Sequence, residues 1–335
     1  MTTAAVVGIG DISTIHLQAI AETNQIDLVG VCDSVPERAD RAAQEWGVPA
    51  FTDHQSLLRQ ARPQVLHITL PHYLHVPVAL DALAAGSHVL TEKPLSHTYQ
   101  SAQRLAEVAR DADRKLGVCF QNRYNPTSLA LRQALVSGRY GAVRGARAAV
   151  WWERDQAYYQ RAPWRGRWDQ GGGGVLINQT IHTIDLLCWL LGAPQQVAGC
   201  AASLDRQPPV EVEDAASIVM HHPGGVRSIF FATTNYTGNA PVEIEVVCER
   251  GVLRISDGEL SAVAPDGSVT TLAADVQASG ARSYWGRGHQ LLIEDFHRRL
   301  ADPEPFWIDA DAALVSLGVL RTVYVQSGLV PESDR

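Results

Sequence analysis

The sequence predicts an α/β protein in two parts: a parallel sheet with helices on both faces, then an α+β domain built on a mostly antiparallel sheet. Three observations carry this. Between Ala4 and Phe120, short β-rich apolar runs alternate with helical periods, the pattern of strands joined by crossover helices. Beyond Val143, apolar runs are separated by tight turn signals such as His222-Pro223-Gly224-Gly225 and Glu249-Arg250-Gly251, which suit antiparallel neighbours. At 335 residues the chain has the length of about two domains. The boundary is expected near Asn122 to Pro126, giving domains 1–123 and 124–335.

The first run, Ala4 to Ile9, stops at Gly10, and Ile12 to Thr23 follows with helical spacing. Ile26 to Cys32 is a second strand, ended by Asp33. Pro36 to Trp46 opens on a proline, whose missing N–H is harmless at a helix start. Val65 to Leu70 is a strand stopped by Pro71, and Val76 to Ala85 a helix closed by Gly86. Ser87 to Leu90 ends in Thr91-Glu92-Lys93-Pro94. A helix, Tyr99 to Arg114, and a strand, Leu116 to Phe120, complete the first part. In the second part, Val143 to Trp152, Ala215 to His221, Val226 to Thr233, Val242 to Cys248 and Val252 to Ile255 read as strands. Four glycines, Gly171 to Gly174, run into an apolar helix, and Gln290 to Leu300 and Ala312 to Gln326 are later helices.

Composition narrows the function. A net charge of -8 argues against a nucleic-acid or anionic-membrane partner. The five cysteines form no Cys-x-x-Cys pair, so neither a zinc site nor a disulfide framework is indicated, and a reducing compartment is expected. The sequence shows no basic leader and no apolar run of transmembrane length, so a soluble cytoplasmic protein is expected.

Gly8-Ile9-Gly10 lies between a strand and a helix, where a backbone can turn sharply and approach a pyrophosphate held by helix-start amides such as those of Asp11 and Ile12. Ser13 stands where a third glycine is usual, so the motif also fits an ordinary strand-to-helix turn. Asp33, ending the next strand, is placed to bind ribose hydroxyls and to repel a 2′-phosphate, which favours NAD. Arg38 keeps NADP open, and Asp33 could instead cap a turn. Thr69, His72, His75 and Gln121, after later strands, join the candidate cofactor contacts. His72 and His75 could alternatively cap the following helix. With His67 they invite a metal reading, but no neighbouring acid or cysteine completes a ligand set, so no metal is expected.

Lys93 ends a strand, at the sheet edge where open parallel sheets bind ligands. There it could hydrogen-bond a substrate hydroxyl and move its proton. Glu92 either orients Lys93 or is solvated. Asn178, His182 and Asp185 stand at i, i+4 and i+7, sharing one face of an otherwise apolar helix. A polar stripe there needs partners or a cleft. Asp185 either orients His182 or makes a structural contact. Upstream, Tyr158, Tyr159, Arg161 and Trp168 are candidate substrate contacts on a loop, Asp155 to Gln170, expected to cover the site. Arg282, Tyr284 and His289 form a late polar cluster.

Taken in order, Gly8-Ile9-Gly10 with His16, Pro71-His72-Tyr73-Leu74-His75, Glu92-Lys93-Pro94, Trp164-Arg165 before the glycine run, and His182-Thr183-Ile184-Asp185 resemble the glucose–fructose oxidoreductase / inositol dehydrogenase (Gfo/Idh/MocA) family over essentially the whole chain. The resemblance implies an N-terminal Rossmann domain and a large, open C-terminal sheet that forms dimers or tetramers. It implies hydride transfer between NAD(P) and a secondary alcohol of a sugar, cyclitol or nucleotide sugar. It makes Lys93 and His182 the catalytic pair, sets Trp164 and Arg165 near the nicotinamide, and adds Glu92 and Lys93 to the cofactor contacts. Inositol-oxidising members often carry aspartate where this chain has Asn178, and an amide can position substrate but cannot take its proton. The same resemblance leaves room for NAD-assisted glycoside cleavage through a 3-keto intermediate, or for a non-catalytic nucleotide-binding regulator.

Overall fold

The computed structural model describes residues 1–205, 209–275 and 287–330, so Arg282 and Tyr284 of the late polar cluster fall outside the described residues. The chain forms two compact units: Met1–Gln121 with Gly288–Leu314, and Asn122–Arg287 with Val315–Arg335.

The first unit is a six-stranded parallel sheet in the order β3-β2-β1-β4-β5-β6. Its strands are β1 (Thr2–Val7), β2 (Ile26–Cys32), β3 (Ala50–Phe51), β4 (Val65–Ile68), β5 (His88–Thr91) and β6 (Leu116–Val118). The crossover helices are α1 (Ser13–Glu22), α2 (Pro36–Trp46), α3 (His54–Ala61), α4 (His75–Ala84) and α5 (Tyr99–Asp111). Ala4, Ala5, Val6, Val65, Leu66, Ile68, Val89 and Leu90 are fully buried, as strands covered on both faces must be. Each large aliphatic side chain among them contributes roughly 1.5–3 kcal/mol on burial. The sequence pattern misses β3 and α3. A two-residue edge strand carries no alternation to detect, and α3 is announced only by Asp53, whose carboxylate accepts the Ser56 N–H at 2.7 Å.

The second unit is an eight-stranded sheet in the order β14-β13-β12-β11-β7-β10-β9-β8. After α6 (Pro126–Val136) come β7 (Val143–Trp151), α7 (Gln156–Arg161), α8 (Trp168–Gly171) and α9 (Ile181–Leu191). Then follow β8 (Gln196–Ala202), β9 (Ala215–His221), β10 (Arg227–Thr233), β11 (Glu243–Cys248), β12 (Gly251–Ser256), β13 (Glu259–Val263) and β14 (Val269–Ala274). Every pairing is antiparallel except β10 with β7. The five expected strands are present. β8, β13 and β14 were not anticipated, because small and polar residues break their alternation.

The expected loop from Asp155 to Gln170 is instead largely helical: α7, a 3-10 turn over Pro163–Gly166, and the start of α8. The expectation that no apolar run reaches transmembrane length also needs correction. Trp168–Leu191 is 24 residues with an apolar window of mean hydropathy 1.3, long and apolar enough to cross a membrane. That window is 72% buried inside the protein, as in the core helix of a globular domain.

After the second sheet the chain returns to the first unit, whereas the sequence assigned everything past residue 124 to the second domain. Helix α10 (Gly288–Arg298) packs on α1, and the Val118 N–H donates to the Ile308 carbonyl at 2.9 Å. Phe296 and Phe306 meet edge to face at 5.0 Å. A Cβ on Gly117 would lie 2.7 Å from the Phe296 ring, so a side chain there would displace this contact. The last helix, α11 (Ala310–Gln326), belongs to the second unit from Val315 onward.

Candidate active site

The turn after β1 has the shape a pyrophosphate requires. Gly8 sits at φ +93, and a Cβ on it would lie 2.8 Å from the Thr69 carbonyl. Around Gly10 a Cβ would meet nothing within 4 Å, leaving open space for a close-approaching ligand. Ser13, in place of the third glycine, donates its hydroxyl to the Gly10 carbonyl at 2.7 Å and closes the turn itself. The Thr69 hydroxyl lies 3.0 Å from the Val7 carbonyl and 2.6 Å from that of Gly8. Asp33 accepts the Ile9 N–H at 2.8 Å and the Val35 N–H at 2.9 Å, which ties the end of β2 to the glycine turn. Asp11 and Arg38 are exposed, Ile12 is half-buried, and Gln121 is buried just past β6. These residues fit a dinucleotide: a glycine cradle, amides at the start of α1, and an acid at the next strand end.

Lys93 follows β5 at the C-terminal edge of the same sheet and is half-buried, with a cis bond to Pro94. Its N–H donates to Glu92 Oε2 at 3.3 Å. Glu92 is not solvated. His16 Nε2 and His289 Nε2 both lie 3.1 Å from its Oε1. Burial works to raise the Glu92 carboxyl, but hydrogen bonds from His16 and His289 outweigh it and hold the group well below the usual carboxylate range. His75, expected at the cofactor edge or as a cap, is fully buried, with its two ring nitrogens 2.7 Å from the Pro94 carbonyl and 2.8 Å from that of Leu70. It braces the loops that follow β4 and β5. His72 is buried beside it at 5.8 Å between ring centroids.

Behind Glu92 runs a row of imidazoles that sequence reasoning did not assemble. His16 Nδ1 lies 2.9 Å from His67 Nδ1, and His67 Nε2 lies 3.0 Å from His297 Nε2. Burial depresses all three, His67 well below its ordinary value and His297 to about 3, so they are neutral near pH 7. Neutral imidazole has one donor and one acceptor, which fixes the order of protons. The ionised Glu92 only accepts, so His16 carries its proton on Nε2. His67 must then donate from Nδ1 and His297 from Nε2. Among the described residues, His16, Glu92 and Cys119 are also the one group whose potential metal-ligating atoms converge, within 4.8 Å. Burial pushes the Cys119 thiol well above its ordinary value, so it is held as a protonated thiol.

In the second unit, Val175–Thr180 winds as a π-helix before α9 begins at Ile181. The even stripe expected of Asn178, His182 and Asp185 is thereby broken. Asn178 and His182 are half-buried, but Asp185 is 1% exposed. Both its oxygens are taken by Arg123, at 2.8 Å from Nε and 2.6 Å from Nη2, so of its two expected roles it has the structural one. Asn178 Nδ2 and Gln179 Nε2 donate to the Tyr158 hydroxyl at 3.2 and 3.0 Å. The Arg165 guanidinium lies over the Tyr158 ring at 4.6 Å and over Trp164 at 5.5 Å.

Tyr159, expected at the substrate, is 3% exposed and packs with Val210 and Val212, so it is a core residue and Tyr158 is the one beside Asn178. Trp168 donates its Nε1–H to the Glu211 carbonyl at 3.1 Å and stacks edge-on with Tyr324. Arg161 is exposed at the end of α7. The glycine run has a steric cause: a Cβ on Gly174 would lie 1.9 Å from the Glu213 carbonyl, and one on Gly173 2.2 Å from the Tyr324 hydroxyl. Glu213 escaped the sequence reading because an acidic pair before a strand looks like solvated surface.

Comparison with known proteins identifies the family and its nucleotide-binding fold. Residues 2–120 match the family model described as "Oxidoreductase family, NAD-binding Rossmann fold", and residues 128–254 match the GFO/IDH/MocA C-terminal domain. An inositol 2-dehydrogenase of Rubrobacter xylanophilus is 31% identical over 254 residues, covering 75% of this chain and 70% of that protein. The chain belongs to the Gfo/Idh/MocA family. It is an NAD-binding oxidoreductase of that family, with the dehydrogenase fold expected from its sequence. Mouse trans-1,2-dihydrobenzene-1,2-diol dehydrogenase is 29% identical, over 73% of this chain and 70% of that protein. The WlbA dehydrogenase of Bordetella pertussis, solved with NADH and UDP-GlcNAcA, superposes with a TM-score of 0.85 at 30% identity, covering 98% of this chain and 96% of that one.

Proposed function

We propose that this Gfo/Idh/MocA protein interconverts a secondary alcohol of a sugar or nucleotide sugar and its ketone, with Lys93 and His182 handling the hydroxyl proton. The observation that carries this reading is the setting of Lys93. It stands at the ligand-binding edge of a dinucleotide-type sheet, on a backbone held by a buried, ionised Glu92. Bound NAD supplies the hydride acceptor or donor, and the protein supplies alignment and proton transfer. Gly8, Gly10, Asp11, Ile12, Asp33 and Thr69 would hold the cofactor, with Asp33 favouring NAD. Asn178, as an amide, orients substrate and leaves the proton to Lys93 and His182. The likeness to the WlbA dehydrogenase, together with Asn178, favours a nucleotide sugar over inositol.

The test is a screen of sugars, cyclitols and nucleotide sugars, following reduced-cofactor absorbance. Stoichiometric NADH with a ketone product is expected. Catalytic NAD with a cleaved glycoside, or binding without turnover, would overturn the reading.

We further propose that copies of the chain associate through the outer face of the eight-stranded sheet, in a reducing compartment. Val219, Ile229, Arg147, Glu245 and Arg254 are successive cross-strand neighbours on that face. Val219, Ile229 and nearby Val247 are 38%, 54% and 42% exposed, an apolar patch of the kind that marks association. Light scattering should show a dimer or tetramer, and Ile229→Asp should weaken it.

A further inference from the structure

The clamp on the glycine run uses more of Glu213 than a helix start needs. Its carboxylate accepts the Gly174 N–H at 2.7 Å on Oε2 and the Leu176 N–H at 3.0 Å on Oε1. The Tyr324 hydroxyl donates to Oε1 at 2.9 Å. Its carbonyl accepts the Val175 N–H at 3.0 Å. Residue 213 therefore grips three consecutive peptide units at the start of the segment that carries Asn178 and His182. A π-turn begins there, and its first amides have no partner within the turn, so whatever holds them sets where the segment begins.

We propose that Glu213 is a positioning residue for His182: as a carboxylate it fixes the start of the π-helical turn, and on protonation it loosens its hold on the turn's amides and misplaces the imidazole. This rests on the dehydrogenase reading above. Protonation is within reach of ordinary conditions. Burial pushes the carboxyl up to about 7, against the lowering effect of the bonds from Leu176, Gly174 and Tyr324. Among the described residues, Tyr324 is the titratable side chain that bonds to it. The π-turn contributes backbone amides, and the neighbouring Asp214 directs its own carboxylate to the Leu204 and Asp205 N–H groups at 2.9 and 3.0 Å. A neutral acid has one O–H that must donate, and its oxygens are weaker acceptors than a carboxylate's, so protonation weakens the grip on the amide at the oxygen that takes the proton.

Two measurements on the full chain test this. Amide proton shifts of Gly174 and Leu176, followed by NMR between about pH 5.5 and 8.5, should titrate together near the Glu213 value. In Tyr324→Phe, which removes a bond to the charged form, the same titration should move up by about half a unit or more. In turnover, kcat should fall on the acid side with that same midpoint, and the midpoint should follow the Tyr324→Phe shift. Glu213→Gln should lower kcat about tenfold at pH 8.5, as a small misplacement does, and should leave NADH affinity intact. Flat amide shifts across the range, or an acid limb that stays put in Tyr324→Phe, would overturn the proposal even if Glu213→Gln fails to fold. If no alcohol is turned over at all, the dehydrogenase reading fails, while the amide titration still decides whether Glu213 works as a protonation-dependent clamp.

Discussion

Glu92 and Glu213 are both buried, one in each unit, yet they are held in opposite ways. Around Glu92, two imidazoles donate to one oxygen, and the carboxyl stays well below its ordinary value of 4.5. Around Glu213, two backbone amides and a phenol donate, and burial still drives the group up to about 7. The difference lies in the donors. Glu92 takes both side-chain donors on one oxygen, and the one from His16 is backed by a further row of aligned imidazoles. Glu213 takes two backbone amides and a phenol, spread over both oxygens. Burial penalises both carboxylates, and the surroundings decide whether it wins. The first glutamate is a fixed anion beside the proposed catalytic lysine; the second stands at the edge of ionisation at the start of the turn that leads to the proposed catalytic histidine.

The largest expected effect tests whether the first centre serves chemistry. Lys93→Ala should lower kcat by about 10²–10⁴-fold, the usual worth of a positioned proton-transfer group, with NADH binding nearly unchanged. Wild-type turnover in that variant would reduce Glu92 to a structural anion. Next comes stability at pH 8, measured by urea unfolding. Glu92→Gln should cost about 2–3 kcal/mol through a lost charge-assisted hydrogen bond. Glu213→Gln should cost less than about 1 kcal/mol, because the ionised acid it replaces already carries a burial penalty of about 3 kcal/mol. Equal losses would erase the contrast.

The pH dependence sharpens it further. Glu213 has a folded value above its unfolded one, so its penalty is absent below about 4.5, grows as pH rises to about 7, and is complete above that. Glu213→Gln should therefore look more harmful at pH 5 than at pH 8. Glu92 has a depressed folded value, so its stabilisation persists above 4.5 and is lost only as pH falls through the folded value. The deficit of Glu92→Gln should be nearly the same at pH 5 and pH 8. The smallest effect is spectroscopic. Nitrogen-15 shifts should show the proton on Nε2 of His16 and His297 and on Nδ1 of His67, and any other tautomer order would break the account of how Glu92 is held.

Much of this was legible in the residues. The strand-and-helix alternation, the glycine turn, Asp33 and the placement of Lys93 at a strand end follow from local pattern, and the structure places each of these elements in the expected order. Partnerships between distant residues were not legible. His16, His67, His289 and His297 are far apart in sequence, and only α1 packing on α10 beside β4 lines them up. Asp185 shared a face with Asn178 and His182 in the sequence, with an orienting and a structural role both open. Arg123, placed on the far side of α6 in the chain, takes both its oxygens and gives it the structural one. Tyr158 and Tyr159 are adjacent and chemically alike, so nothing in their spacing shows which faces Asn178.

The return of Gly288–Leu314 to the first sheet has a practical consequence for anyone dissecting the molecule. A gene fragment ending at Gln121 would leave bare the apolar surface over Gly117 that Phe296 and Phe306 cover, and would strip Glu92 of one of its two imidazole donors. The nucleotide-binding half is therefore discontinuous in the gene. Splitting the coding sequence after residue 121 should produce an aggregating piece, while a fusion that joins residue 121 to residue 288 through a short linker should restore its solubility.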